Sequence, residues 1–252
     1  MLELCGITKK FPAQSRPAVS NLCFSVRPGE IAAILGENGA GKTTALRIIS
    51  TILRPDSGSC RVMGFDAVRE PGKARRETGI LLGGDTGLYD RLTARENISY
   101  FADLHGIPRD IQKRKINEIA QLLGMQDYID RRCAAFSKGM KQKTAFARAL
   151  IHDPSVILLD EPATGLDVSS SLIVRNFIMH CRNAGKAILF SSHNIDEVKK
   201  LADRIIIIHN GRQEENTSQS QLYGKYEKNE KHAKRKNDLE SIFLAITGQD
   251  KS

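Results

Sequence analysis

The stretch Gly36-Glu37-Asn38-Gly39-Ala40-Gly41-Lys42-Thr43-Thr44 leaves this chain few ways to fold. It follows a short apolar run at residues 31–35 and leads into Ala45, Leu46, Ile48 and Ile49. A G-x-x-x-x-G-K-[ST] loop set between a buried strand and a helix is a phosphate cradle. Its glycines let the backbone curl until successive N–H groups face phosphate oxygens. The helix behind it adds the positive end of its dipole. In such a loop Lys42 reaches the β- and γ-phosphates, and the Thr43 hydroxyl holds Mg²⁺. A nucleoside triphosphate is the expected ligand, because strand, loop and helix arrive in the order this chemistry needs.

At 252 residues the chain is long enough for one large domain, or one domain with a lobe. Its net charge is +9, much of it local: residues 225–236 hold six Lys or Arg against two Glu. Such a segment is solvated and suits lipid headgroups. Its single aromatic is Tyr226, and the chain has no Trp, which argues against stacking on single-stranded nucleic acid. No apolar run approaches the ~20 residues that span a bilayer. Met1-Leu2-Glu3-Leu4 lacks the basic start of a secretory signal. Five dispersed cysteines without a C-x-x-C pair read as reduced thiols, with neither a disulfide framework nor a zinc site.

Leu2 and Leu4, then Leu22, Phe24 and Val26, alternate with other residues, the period of strands with one buried face. Phe11, Pro12 and Pro17 mark the loop between them, and Pro28-Gly29 a turn. The helix after the glycine loop is expected to end near Leu53, ahead of Pro55, with a short strand at 60–63 beyond it. From about residue 86 to 151 the pattern becomes helical. Thr93-Ala94-Arg95-Glu96 reads as a capping box. Ile116, Ile119, Ala120 and Leu123 follow helical spacing, with Lys113, Arg114 and Lys115 on the solvated face. This region is expected to be a helical lobe inserted between two core strands. Continuous apolar runs then appear at 156–159, 187–190 and 205–208, separated by helical stretches at 168–184 and 194–202. Such runs suit parallel strands covered on both faces, and their alternation with helices predicts a parallel α/β sheet. Residues 239–246 suit a short amphipathic helix.

The run at 156–159 ends in Asp160-Glu161-Pro162. Alone, an acidic pair at a strand end is a polar cap. Beside a phosphate loop, Asp160 suits Mg²⁺ through its water shell, and Glu161 suits a general base for an attacking water. Phe136-Ser137-Lys138-Gly139-Met140 precedes a helix expected from 141 to 151; taken alone, Ser137 reads as its N-cap. His193 follows Ser191-Ser192, and a lone histidine there reads as structural. Together with Gly165-Leu166-Asp167, these features resemble the ATPase subunit of ABC transporters in order and spacing from about residue 2 to 211.

The resemblance implies an α/β P-loop NTPase core of ABC ATPase type, with a small antiparallel β subdomain and an inserted α-helical subdomain. The division it suggests is 1–215 for the ATPase domain, with the helical subdomain at about 86–151. Residues 216–252 would then form a basic C-terminal extension ending in a short helix. It implies ATP and Mg²⁺ as cofactors and two subunits, as a homodimer, closing head to tail over the nucleotide. Ser137 and Gly139 of one subunit would grip the γ-phosphate held by the other. His193 would contact the γ-phosphate and the water, Asp167 would shape the dimer interface, and Phe11 would stack on adenine. Separate transmembrane permease subunits would be the partners, placing the chain in the cytoplasm on the inner face of the membrane. Residues 87–97, 137–143 and 239–247 look similar to the ABC-2 export branch and, within it, to sodium-extruding Nat-type ATPases, so sodium or drug efflux is the implied task. The alternative is an ABC ATPase that acts on nucleic acid or ribosomes, although those usually carry two units or a long coiled coil. Two departures stand out. Lys138 and Met140 replace a glycine and the glutamine of the usual Leu-Ser-Gly-Gly-Gln, and Gly83-Gly84-Asp85 occupies the place of a glutamine that links Mg²⁺ to the membrane partner.

Overall fold

The computed structural model describes residues 1–83, 87–227 and 238–248. Two antiparallel strands open the chain, β1 (Leu2–Lys9) and β2 (Val19–Val26), which bury Leu2, Leu4, Leu22, Phe24 and Val26 as their alternation requires. β4 (Ser57–Val62) and β5 (Phe65–Asp66) extend this layer on the far side of β1. The strand expected at 60–63 therefore starts earlier, because its pairing with β1 runs from Thr8↔Ser57 to Leu2↔Val62.

The parallel half contains β3 (Ile31–Leu35), β6 (Thr78–Leu81), β7 (Val156–Asp160), β8 (Ala187–Ser192) and β9 (Arg204–His209), ordered β9-β3-β8-β7-β6. β10 (Arg212–Ser218) returns antiparallel to β9 and bridges to β2, joining the two halves into one ten-stranded sheet among the described residues. The core boundary expected at residue 215 falls inside β10.

All five residues of β3 are buried because the sheet is covered on both sides. Ala32 and Ile34 meet α1 (Lys42–Ile49) and the antiparallel layer. Ile31, Ala33 and Leu35 face the opposite cluster, with α6 (Val168–Asn183), α7 (Ile195–Leu201) and α9 (Leu239–Thr247). α1 stops at Ile49, short of Leu53, with Ser50 as its C-cap and Thr51 in a left-handed turn. α2 (Pro71–Arg76) leads into β6.

Between β6 and β7 lie α3 (Ala94–Leu104), α4 (Arg109–Leu122) and α5 (Lys138–Leu150), the expected helical insertion. The Thr93–Glu96 capping box forms in both directions. α5 begins at Lys138, three residues before the expected start, because Ser137 caps it. α8 (Gln219–Glu227) places Lys225 against Glu215, so the basic segment begins on a packed helix. Its remainder from 228 to 236 lies outside the described residues. No helix among the described residues is long and apolar enough to cross a membrane.

Candidate nucleotide site

The glycine loop joins β3 to α1, and its shape depends on missing side chains at two places. Gly41 is the N-cap of α1 at φ 109°, a left-handed value, and a Cβ there would strike Ala18 O. Gly36 runs so close to β9 that a Cβ would lie 2.5 Å from Ile208 O. The loop therefore sits flush on the sheet. Above it opens a cavity of about 620 Å³. Glu37, Asn38, Gly39, Gly41, Lys42, Thr43 and Thr44 line it; Gly36 and Ala40 form the loop's base. Phe11 and residues 13–18 form the opposite wall, with Glu161, Asn210 and Gly211 at the edge.

Lys42 is buried and its Nζ donates to Gly36 O at 2.7 Å and Glu37 O at 3.1 Å. It also lies 3.5 Å from Glu161 Oε1. Thr43 Oγ1 donates to Asp160 Oδ2 at 2.9 Å, across 117 residues of sequence. These two oxygens form a hard, partly buried donor set of the kind that suits Mg²⁺. On the other side Asp160 Oδ1 accepts from Ser191 Oγ.

Glu161 departs from the strand at φ 52°, and its N–H donates to Ser191 O at 3.1 Å and Ser191 Oγ at 3.2 Å. The turn throws its carboxylate toward the loop. There His193 Nδ1 lies 2.8 Å away, which puts the ring proton on Nδ1 when Glu161 is ionised, and Thr164 Oγ1 donates at 3.0 Å. A cation from the loop, a carboxylate and an imidazole thus converge at the mouth of a phosphate-sized cradle. Such a group can hold a terminal phosphate and take a proton from a water beside it.

Gly36, Glu37, Asn38, Gly39, Ala40, Gly41, Lys42, Thr43, Thr44, Asp160, Glu161, His193 and Phe11 are therefore brought to one place. Ser137, Gly139 and Asp167 form a second group that does not line this cavity. Ser137 Oγ accepts from Met140 N at 3.3 Å as a plain N-cap. Gly139 is buried so tightly that a Cβ would lie 2.7 Å from Ser170 Oγ and 3.7 Å from Asp167 Oδ2. Asp167 caps α6 and accepts from Ser169 Oγ at 2.6 Å, Ser170 N at 2.8 Å and Ser170 Oγ at 2.8 Å. Those three donors hold its carboxyl far below the usual range. Lys138 turns back over Gly165, so that its Nζ lies where a Cβ there would stand. Gly83 lies two residues past β6, where a Cβ would stand 3.3 Å from Asp160 O and 3.6 Å from Asp160 Oδ2, whereas Gly84 and Asp85 lie outside the described residues.

Ser191, Thr164 and the wall at residues 13–18 were not foreseen. Ser191-Ser192 did carry a signal, since two hydroxyls end an otherwise apolar, fully buried strand.

A family model described as ABC transporter matches residues 19–164, more than half of the chain. The ABC transporter ATP-binding protein NatA of Bacillus subtilis is 45% identical over 97% of this chain and 97% of its own length. A probable multidrug ABC transporter ATP-binding protein, YbhF of Escherichia coli, is 32% identical over 82% of this chain, which spans 36% of that longer protein. Among solved structures, an ATP-binding subunit of an ABC transporter superposes with a TM-score of 0.87 at 25% identity, covering 98% of this chain and 99% of the other. A dimeric ATP-binding cassette in a post-hydrolysis state with ADP and Pi gives 0.77 at 25% identity, over 86% and 98%. The phosphate loop, the acidic strand end and these likenesses agree: the chain belongs to the ABC transporter family, as an ATP-binding ATPase subunit.

Proposed function

We propose that this subunit hydrolyses MgATP between two copies of itself and so powers export by separate membrane subunits. The observation that carries the reading is the Glu161 carboxylate, set 3.5 Å from Lys42 Nζ and 2.8 Å from His193 at the mouth of the glycine loop. Lys42 leaves the loop carbonyls for the β- and γ-phosphates. Thr43 and Asp160 would hold Mg²⁺, which would supply positive charge against the phosphates. Glu161 takes the proton of a water whose oxygen bonds to the γ-phosphorus as the bond to the β–γ bridging oxygen breaks, and ADP and phosphate leave. His193 orients that water and the γ-phosphate, and Phe11 stacks on adenine.

Two features of the single chain support head-to-tail pairing. Ser137 and Gly139 start a helix whose N–H groups suit an anion, yet they do not line the chain's own nucleotide cavity. Beside Asp167, Val168 and Leu172 present apolar surface to solvent, as a subunit interface requires. The ATPase unit is taken to include 1–215 with its helical insertion at about 86–151, and 216–252 as an extension. Attachment to permeases would hold the chain on the cytoplasmic face of the membrane. Sodium or drug efflux is the task we assign.

Glu161→Gln tests the chemistry. It is expected to lower kcat by at least about 10²-fold while ATP still binds. Steady-state phosphate release and equilibrium ATP binding measure both, and undiminished turnover would remove Glu161 as the base. For the partner, affinity purification from solubilised membranes should recover a polytopic protein. Recovery of ribosomes or DNA in its place contradicts the transport role.

A further inference from the structure

One buried acid has no part in the chemistry above. Glu197 lies in the first turn of α7 and is 9% exposed. Its Oε2 accepts from Ser192 Oγ at 2.7 Å, whereas Oε1 has no hydrogen-bond partner among the described residues. Burial pushes its carboxyl above the usual range, and the nearby Glu161 charge adds to that. The Ser192 hydroxyl, the Ala163 backbone N–H and Arg175 act in the opposite direction. A leucine would occupy this site without the cost of burying a half-satisfied acid. The carboxylate therefore calls for a reason beyond packing.

The group it engages adjoins the proposed catalytic pair. Ser192 immediately precedes His193. Ser192 Oγ also accepts from Asn194 N at 3.0 Å, so the hydroxyl is fixed from two sides. Asn194 Oδ1 in turn accepts from Asp196 N at 2.9 Å and Glu197 N at 3.2 Å. The residues before and after His193 are thus tied to Glu197, one through its side chain and one through its backbone. His193 itself is 47% exposed, so its ring is set by its contact with Glu161 and by the backbone on either side more than by packing. A cavity of about 430 Å³ separates the segment 163–166 from α7, lined on its two sides by Thr164 and Glu197.

We propose that Glu197 is a positioning residue for ATP hydrolysis, anchoring Ser192 and Asn194 on either side of His193 and so holding His193 against Glu161. The proposal rests on the roles assigned above to Glu161 and His193. It is tested on the purified full chain by measuring kcat, KM and ATP affinity, with a thermal melt, for wild type, Glu161→Gln, Glu197→Ala, Glu197→Gln and Ser192→Ala. Glu197→Ala is expected to lower kcat about tenfold or more, with KM and ATP affinity within about twofold of wild type. Glu197→Gln keeps an acceptor for Ser192 Oγ and should return kcat to within about threefold of wild type. Ser192→Ala cuts the same tie from its other end, and should slow turnover in the same sense even where Glu197→Ala does not fold. Full activity in Glu161→Gln overturns the catalytic assignment and this proposal with it. If Glu161→Gln is inactive, three results overturn the positioning role alone: unchanged kcat in folded Glu197→Ala or Ser192→Ala, KM rising in step with the loss of kcat, or a Gln variant as slow as the Ala variant.

Discussion

Ser191 shows how much one hydroxyl holds in this site. It is fully buried at the end of β8, donates to Asp160 and accepts from the N–H of Glu161. Glu161 needs that support, because φ 52° is a left-handed conformation that side chains with a Cβ adopt rarely and at a cost. The strain aims the carboxylate at Lys42 and His193 instead of continuing along the strand. Ser191→Ala leaves Asp160 Oδ1 without its donor and Glu161 N with one acceptor in place of two. Loss of a partner to a buried charged group costs about 1–3 kcal/mol, so urea unfolding should show a destabilisation in that range. A change below about 0.5 kcal/mol would mean that neighbouring groups satisfy Asp160 without Ser191.

At the scale of elements, helix starts carry the second group of residues. α6 begins on Asp167, whose carboxylate takes three hydrogen bonds from Ser169 and Ser170, and α5 begins on Ser137. Gly139 lets the two starts meet, since a side chain there would push Ser170 off Asp167. Asp167 titrates far lower folded than unfolded, so its contribution is present above the ordinary aspartate range and is lost as pH falls through and below it. Urea midpoints of wild type should therefore fall from pH 6 to pH 3 more steeply than those of Asp167→Ala, which lacks this group. Equal slopes would remove the cap as a source of acid sensitivity. The helix starts at Thr93 and Ser137 were legible in the sequence because capping is local: Thr93 and Glu96 are three positions apart and need no knowledge of the fold, whereas the cap that Asp167 gives α6 was not read from it. The phosphate loop and the Asp160-Glu161 strand end were legible for the same reason. What else escaped was long-range. The link from Ser191 to Asp160 spans 31 residues, and the return of β10 beside β9 and β2 depends on a sheet that the local pattern does not order.

For the whole molecule, the decisive junction is between the helical insertion and the sheet, since any motion of the insertion passes through it. His152, in the turn after α5, reaches β6 with Nε2 3.2 Å from Thr78 O. Its ring stacks on His105, which caps α3, with centroids 3.8 Å apart and planes 6° from parallel. Nδ1 of His152 is buried without a partner among the described residues, so the neutral ring with its proton on Nε2 is the form that fits. Burial, and then His105, push His152 down to about 4; Lys115 adds to this, while Thr78 O and Asp153 oppose it. His105 is lowered as well, by burial and by Arg76. An unfolded histidine titrates near 6.5. Between these values the unfolded chain binds a proton that the folded chain refuses, so stability is full above about pH 6.5 and declines as pH falls toward about 4. Partial exposure screens the effect to on the order of 1–2 kcal/mol. Urea midpoints at pH 7.5, 6 and 5 should trace this decline. Asp167 lies outside this window, because carboxylates of its kind titrate lower, so the two sources of acid sensitivity separate by pH. His152→Gln keeps an N–H for Thr78 O and cannot take up a proton, so it should flatten the slope between pH 7.5 and 5. If the slope persists in that variant, the stacked histidine pair at this junction is not the pH-sensitive contact.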